Sequence, residues 1–169
     1  GNDIITGQGG TDNLTGGSGN DTFNVDAGSD TITDLGTGSD ILVVSSGATA
    51  NATNVSSFTA SSATRNSGTA TIISVAGGST VDMSSSGLGG FTLAGNAGID
   101  NLTGGSNNDI ISGAGGNDII IGGAGNDTIT GGANNDSLTG SAGNDTFNVD
   151  AGTDTITDLG GSDELVVSC

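Results

Sequence analysis

Residues 100–165 read DNLTGGSNN DIISGAGGN DIIIGGAGN DTITGGANN DSLTGSAGN DTFNVDAGT DTITDLGGS DEL, and in this run Asp returns every nine residues. The positions are Asp100, Asp109, Asp118, Asp127, Asp136, Asp145, Asp154 and Asp163, and the interval never slips. Two residues after each stands one large apolar side chain: Leu102, Ile111, Ile120, Ile129, Leu138, Phe147, Ile156 and Leu165. Small residues precede each Asp, most plainly in GGAGNDTIT at 122–130. A fixed interval of this kind marks a repeat architecture and governs the rest of the reading.

Toward the amino terminus the design recurs as Asp3, Asp12, Asp21 and Asp30, followed by Ile5, Leu14, Phe23 and Ile32. Asp40 and Leu42 come ten residues on, a slip that predicts a bulged or terminal turn. A longer repetition is superimposed: GNDTFNVDAGSDTITDL at 19–35 returns at 143–159 with one substitution, offset by 124. Both copies run into Val-Val-Ser, at 43–45 and 166–168. The chain reads as a little over one unit of a tandem array, entered partway through a nonapeptide.

The consensus GGxGxDxUx, with U a large apolar residue, resembles the RTX or haemolysin-type calcium-binding repeat. The resemblance spans residues 1–44 and 95–169 and rests on thirteen in-pattern Asp residues. It implies an all-β fold, a parallel β-roll (β-solenoid) with calcium ladders. Two RTX blocks, 1–44 (truncated at its start) and 95–169, would be separated by a calcium-free β segment at 45–94.

Physical chemistry supports that reading. The x-U-x triplet sends its central residue to one side of a strand and its neighbours to the other. The six remaining residues must turn the chain, and Gly permits positive φ without steric cost. Where the fourth position is not Gly it holds Asn107 or Asn134, the residue type that best tolerates left-handed backbone. Two nonapeptides complete one coil, so residues eighteen apart stack. The pairs are Asp100–Asp118, Asp109–Asp127, Asp118–Asp136, Asp127–Asp145, Asp136–Asp154, Asp145–Asp163, Asp3–Asp21, Asp12–Asp30 and Asp21–Asp40.

Stacked strands lie about 4.8 Å apart, and two carboxylates at that spacing repel by about 3.5 kcal/mol at an effective dielectric of 20. A cation must intervene. Ca²⁺ accepts carboxylate and backbone carbonyl oxygens in irregular geometry, whereas Mg²⁺ demands a tight octahedron. Zn²⁺ favours His and Cys, which this chain lacks apart from Cys169. Nine sites at two charges each would offset the net charge of −18. The rival explanation for the ladder is Asx-Gly turn chemistry without metal. Asp26, Asp34, Asp82, Asp150, Asp158 and Glu164 fall out of register and read as solvated surface.

Composition bounds the alternatives. Gly fills 34 positions, Pro none, and Arg65 is the only cation against 19 acidic residues. Acidic, Gly-rich chains are commonly disordered, but disordered tails do not place Asp at a fixed interval. A basic surface for nucleic acid is missing, as is an apolar run of the roughly 18 residues a transmembrane span needs. Cys169, the single thiol, permits no intramolecular disulfide. No signal-peptide pattern opens the chain, so any secretion signal would lie elsewhere.

Residues 45–94 could be a Ser/Gly linker, yet TIISV at 71–75, TVDMS at 80–84 and FTLAG at 91–95 read as short strands. Phe91 stands where the next metal-binding Asp would fall and is expected to cap the second roll. Ile119 and Ile121 should point outward on either side of core residue Ile120.

Neither a triad nor a zinc hydrolase site can be assembled without His, GxSxG or HExxH. A Thr ice-binding row is disfavoured, since the third repeat position holds mostly Ala, Ser or Gly. The remaining expectation is a calcium-dependent structural module of a large secreted or cell-surface bacterial protein, such as an S-layer, adhesin, matrix or filament subunit. Its partners would be calcium and neighbouring copies of the same repeat. The alternative is a calcium-triggered folding and secretion module attached to an enzyme or toxin elsewhere in the parent chain.

Overall fold

One apolar residue between two polar ones suffices for a strand if the next coil supplies hydrogen bonds, and the chain uses this economy throughout. The computed structural model describes residues 1–168, which leaves Cys169 outside the described residues. Among them are nineteen short strands and no helix, hence none long and apolar enough to cross a membrane. Every strand pairing is parallel. The fold is a parallel β-solenoid.

One nine-stranded sheet, from Asn13–Leu14 to Glu164–Val167, runs its length in sequence order. A four-stranded sheet (Ile4–Thr6, Thr22–Val25, Ile41–Val44, Arg65–Asn66) forms a second wall for the amino-terminal coils. A six-stranded sheet (Ser57–Thr59, Thr80–Asp82, Asn101–Thr103, Ile119–Ala124, Ser137–Ala142, Thr155–Asp158) does so for the carboxy-terminal coils.

Within the repeats the register is the expected eighteen, as in Leu102↔Ile120 and Ile111↔Ile129. The slip before Asp40 makes one coil a residue longer, so that Thr22 pairs with Ile41. Residues 45–94 continue the same sheets. The strands expected near 71, 80 and 91 are present as Thr69–Ser74, Thr80–Asp82 and Thr92–Ala94. Three further strands, Thr49–Val55, Ser57–Thr59 and Arg65–Asn66, were not legible in the sequence. Central coils are longer, with Thr49 pairing to Thr69 and Ser57 to Thr80. The extra residues let one turn visit all three sheets, handing the second wall from the four-stranded to the six-stranded sheet.

The core is a column of single side chains. Leu14, Ile32, Ala52, Ile72, Leu93, Ile111, Ile129, Phe147 and Leu165 stack in unbroken register along the nine-stranded sheet. All are buried except Leu165, which is 47% exposed because its turn has a neighbour on one side only. Ile119 and Ile121 face outward as expected, 48% and 36% exposed, beside fully buried Ile120.

This alternation is testable at one strand. Ile129→Ala should cost about 2–5 kcal/mol in guanidinium denaturation with saturating Ca²⁺, whereas the outward neighbour Thr128→Ala should stay within about 0.5 kcal/mol. Equal losses would contradict the register.

Candidate metal centre

Each ladder Asp immediately precedes its strand, at the corner where the Gly-rich turn ends, except Asp30, which lies within Ser29–Ile32. The parallel register therefore stacks Asp on Asp. All nine expected pairs are brought together, and one hydrogen bond recurs: the backbone N–H of an Asp in one coil donates to Oδ1 of the Asp in the next. In the second block this joins Asp100 to Asp118 at 2.8 Å, Asp109 to Asp127 at 2.7 Å, Asp118 to Asp136 at 2.8 Å, Asp127 to Asp145 at 2.8 Å, Asp136 to Asp154 at 3.0 Å and Asp145 to Asp163 at 2.9 Å. In the first block it joins Asp3 to Asp21 at 2.8 Å, Asp12 to Asp30 at 3.1 Å and Asp21 to Asp40 at 2.9 Å. Nine of the thirteen ladder Asp side chains are buried, from Asp21, Asp30 and Asp40 to Asp100–Asp145; Asp12, Asp154 and Asp163 are half-buried and Asp3 is exposed.

The second oxygen tells a different story. Oδ2 of Asp12, Asp21, Asp30, Asp118, Asp127, Asp136, Asp145 and Asp154 is buried without any hydrogen-bond partner. An ionised oxygen removed from water and left unpaired costs several kcal/mol, so these eight require a counter-charge. The surrounding space is shaped for one. Gly113, Gly122, Gly131 and Gly140, each five residues before an Asp, turn their Cα toward that Asp's Oδ2, and a methyl group there would collide with it. These glycines have no positive φ; the need is for room. At Gly113 the carbonyl oxygen of Gly131, one coil on, reaches the same space.

No three His, Cys, Asp or Glu side chains converge among the described residues. The ladder instead offers carboxylates two at a time beside main-chain carbonyls. An all-oxygen, irregular set of this kind suits Ca²⁺, and the residues present fit it.

Three ladder Asp residues differ. Asp40 Oδ2 accepts from Gly36 N–H at 2.8 Å, Asp100 Oδ2 from Asn96 N–H at 3.1 Å, and Asp109 Oδ2 from Gly105 N–H at 2.6 Å. Phe91 occupies the expected Asp position, is buried, and donates its N–H to Asp109 Oδ1 at 2.6 Å.

Two expectations need correction. Asp34 and Asp150 do not merely face solvent: Asp34 accepts from Gly16 and Gly17 N–H at 3.1 and 2.6 Å, and Asp150 from Gly132 N–H at 3.0 Å. Each reaches back one coil to fasten a turn. Asn134 takes positive φ (86°) as expected, but Asn107 does not. Sequence reasoning also missed a second ladder. Oδ1 of Asn108, Asn117, Asn126 and Asn135 accepts the N–H of the residue eighteen later, at 2.8–3.1 Å. The signal was present as Asn immediately before Asp, again at intervals of nine.

The electrostatics match the geometry. Burial, reinforced by Asp136 and Asp100, pushes Asp118 up to about 6; burial, with Asp109 and Asp145, does the same to Asp127. Burial also raises Asp109, and raises Asp136 with help from Asp154 and Asp150.

A family model described as RTX calcium-binding nonapeptide repeat (4 copies) matches residues 1–32, 92–120 and 121–156. Neither curated proteins nor solved structures gave a match.

Two outcomes follow from the unpaired oxygens. Gly113→Ala should weaken Ca²⁺ binding in calorimetry, whereas Gly115→Ala, where an added methyl meets nothing within 4 Å, should not; equal behaviour would remove the steric cradle. The second concerns pH. Asp118 and Asp127 hold a proton more tightly folded, near 6, than at the ordinary 3.8. That contribution to metal-free stability is complete below 3.8 and lost as pH rises through 6. Circular dichroism in EGTA should therefore show β-structure gained on acidification from pH 7 to about 4.5, while Ca²⁺ binding weakens over the same range; an unchanged metal-free spectrum would contradict it.

Proposed function

Because the chain belongs to the RTX calcium-binding nonapeptide repeat family, we propose that it is a structural module whose ladders fold when Ca²⁺ enters between stacked Asp residues, and that it serves in an extracellular assembly. The buried, partnerless Oδ2 columns carry the first half of this reading. Without a cation the stacked carboxylates oppose their own burial; with one, the same burial holds successive coils together. Binding and folding then become one event. The ladders of such a chain stay loose where Ca²⁺ is scarce and compact where it is plentiful, which also suits passage out of a cell before folding is complete and keeps the secretion-module reading compatible.

The internal duplication supports assembly. In the first copy Leu35, Leu42 and Val44 are buried, at 3%, 0% and 1% exposure, beneath the coil that follows. Their counterparts Leu159, Leu165 and Val167 are 57%, 47% and 63% exposed. The same local sequence therefore packs beneath a following coil in the first copy, so this fold accepts a further coil stacked on that sequence. Repeats that contact only their neighbours extend by addition. A chain without His or a nucleophile motif gains span and stiffness in this way, so we assign it a structural and not a catalytic role.

A Ca²⁺ titration followed by circular dichroism, reversed with EGTA, should show a cooperative gain of β-structure, and sedimentation at saturating Ca²⁺ should show concentration-dependent self-association. An intact β spectrum in EGTA sinks the calcium-folding half. A strict monomer at high concentration sinks the assembly half.

A further inference from the structure

The partnerless carboxylates are not spread evenly. They lie toward the two ends of the solenoid, and the coils between them carry none. Along the nine-stranded sheet the Asp column is interrupted: Asp30 pairs with Ala50 and Ala50 with Ala70, and Phe91 N–H then meets Asp109. Ala50, Ala70 and Phe91 are buried at 2% exposure or less, so three successive turns place apolar groups where the ladder places charge. On the six-stranded side the column stops at Asp100, beneath which lies Ser79.

Three carboxylates bordering this region, Asp40, Asp100 and Asp109, are satisfied by the protein, whereas Asp30, which pairs with Ala50, begins the partnerless set on the amino-terminal side. Asp100 accepts Ser79 Oγ–H at 2.7 Å and Asn96 N–H at 3.1 Å; Ser79 is in turn hydrogen-bonded to Ser74 at 2.5 Å. Asp109 and Asp40 each receive a turn N–H on Oδ2. Asp82, the one acidic residue between Asp40 and Asp100, lies outside the columns and accepts Ser84 N–H at 2.9 Å. The interior here is filled by Phe58, Ile72, Val81, Met83 and Leu93, all buried. Thr64 and Ser86 hydroxyls lack partners, but they are neutral, and their burial costs far less than a carboxylate's.

We propose that the coils of residues 41–111 form a metal-independent nucleus, and that the two carboxylate ladders assemble outward from it as Ca²⁺ is supplied. The inference rests on the calcium reading above and adds where folding begins. Loop closure is costly for the first turn of a solenoid and light for each later one, because later turns add to an edge already in place. A preformed centre gives each ladder such an edge: Asp40 on one side, Asp100 and Asp109 on the other.

Hydrogen exchange read by mass spectrometry on the whole chain, in EGTA and then in Ca²⁺, tests this. In EGTA, peptides from 46–96 should exchange about tenfold or more slowly than those from 1–32 and 113–168; Ca²⁺ should then protect the outer peptides. Uniformly fast exchange in EGTA overturns the nucleus and leaves the calcium reading standing. Uniform protection in EGTA overturns the calcium reading and this inference with it. Phe58→Ala provides the second arm: it should abolish central protection in EGTA and raise the Ca²⁺ midpoint of both ladders together. Unmoved ladder midpoints after loss of central protection would refute outward assembly.

Discussion

A carboxylate held one strand spacing from its twin is the constraint to which the rest of this molecule answers. Each has two oxygens in different situations. Oδ1 accepts a backbone N–H from the previous coil, a hydrogen bond to a charged group worth about 1.5–3 kcal/mol. That is comparable to the repulsion between neighbouring charges, so the bonded half of the ladder roughly breaks even. In eight of the ladder residues Oδ2 has no such compensation although it is equally buried. The sign of the ladder is therefore decided by what meets Oδ2, and where no backbone N–H reaches that oxygen a divalent cation can join successive carboxylates.

Backbone cohesion that does not depend on metal runs alongside. The Asn ladder points the opposite way to the Asp ladder: Asn126 Oδ1 receives the N–H of Asn144, one coil later, whereas Asp127 Oδ1 receives the N–H of Asp109, one coil earlier. Adjacent residues thus tie each turn in both directions. Because the amide is neutral, this tie adds no repulsion, and it fixes the height of the corner at which the carboxylates must meet. Turn geometry and charge are thereby separated between neighbouring side chains.

The repeats were legible because period and register are the same information. An Asp every nine residues, with one large apolar residue two later, fixed both the coil length and the Asp pairs, down to the extra residue before Asp40. The central coils were harder to read. Their inward residues include Ala50, Ala52 and Ala70, small side chains that give no strand signal although they are buried in register. Their coils also vary, with Thr71 meeting Thr92 and Ser57 meeting Thr80, so no single interval recurs. The duties of Asp34 and Asp150 were hidden for another reason: their acceptor role depends on a coil eighteen residues away, which register reveals and local pattern does not.

Glycine at the first repeat position shows how far the unit of design exceeds nine residues. In the second block it sits five residues before an Asp and clears space for that Asp's own Oδ2. Ahead of Asp30 the same position holds Val25, which is fully buried and serves the core. A side chain there would be expected to abolish the site, yet Asp30 Oδ2 remains buried and partnerless, now against Gly7 of the preceding coil. The cradle is supplied by whichever turn faces the oxygen. A departure from consensus in one nonapeptide is therefore tolerated when the adjacent coil leaves the room, and the site belongs to a pair of turns: its integrity is read from residues stacked eighteen or more apart, not from any nine in sequence.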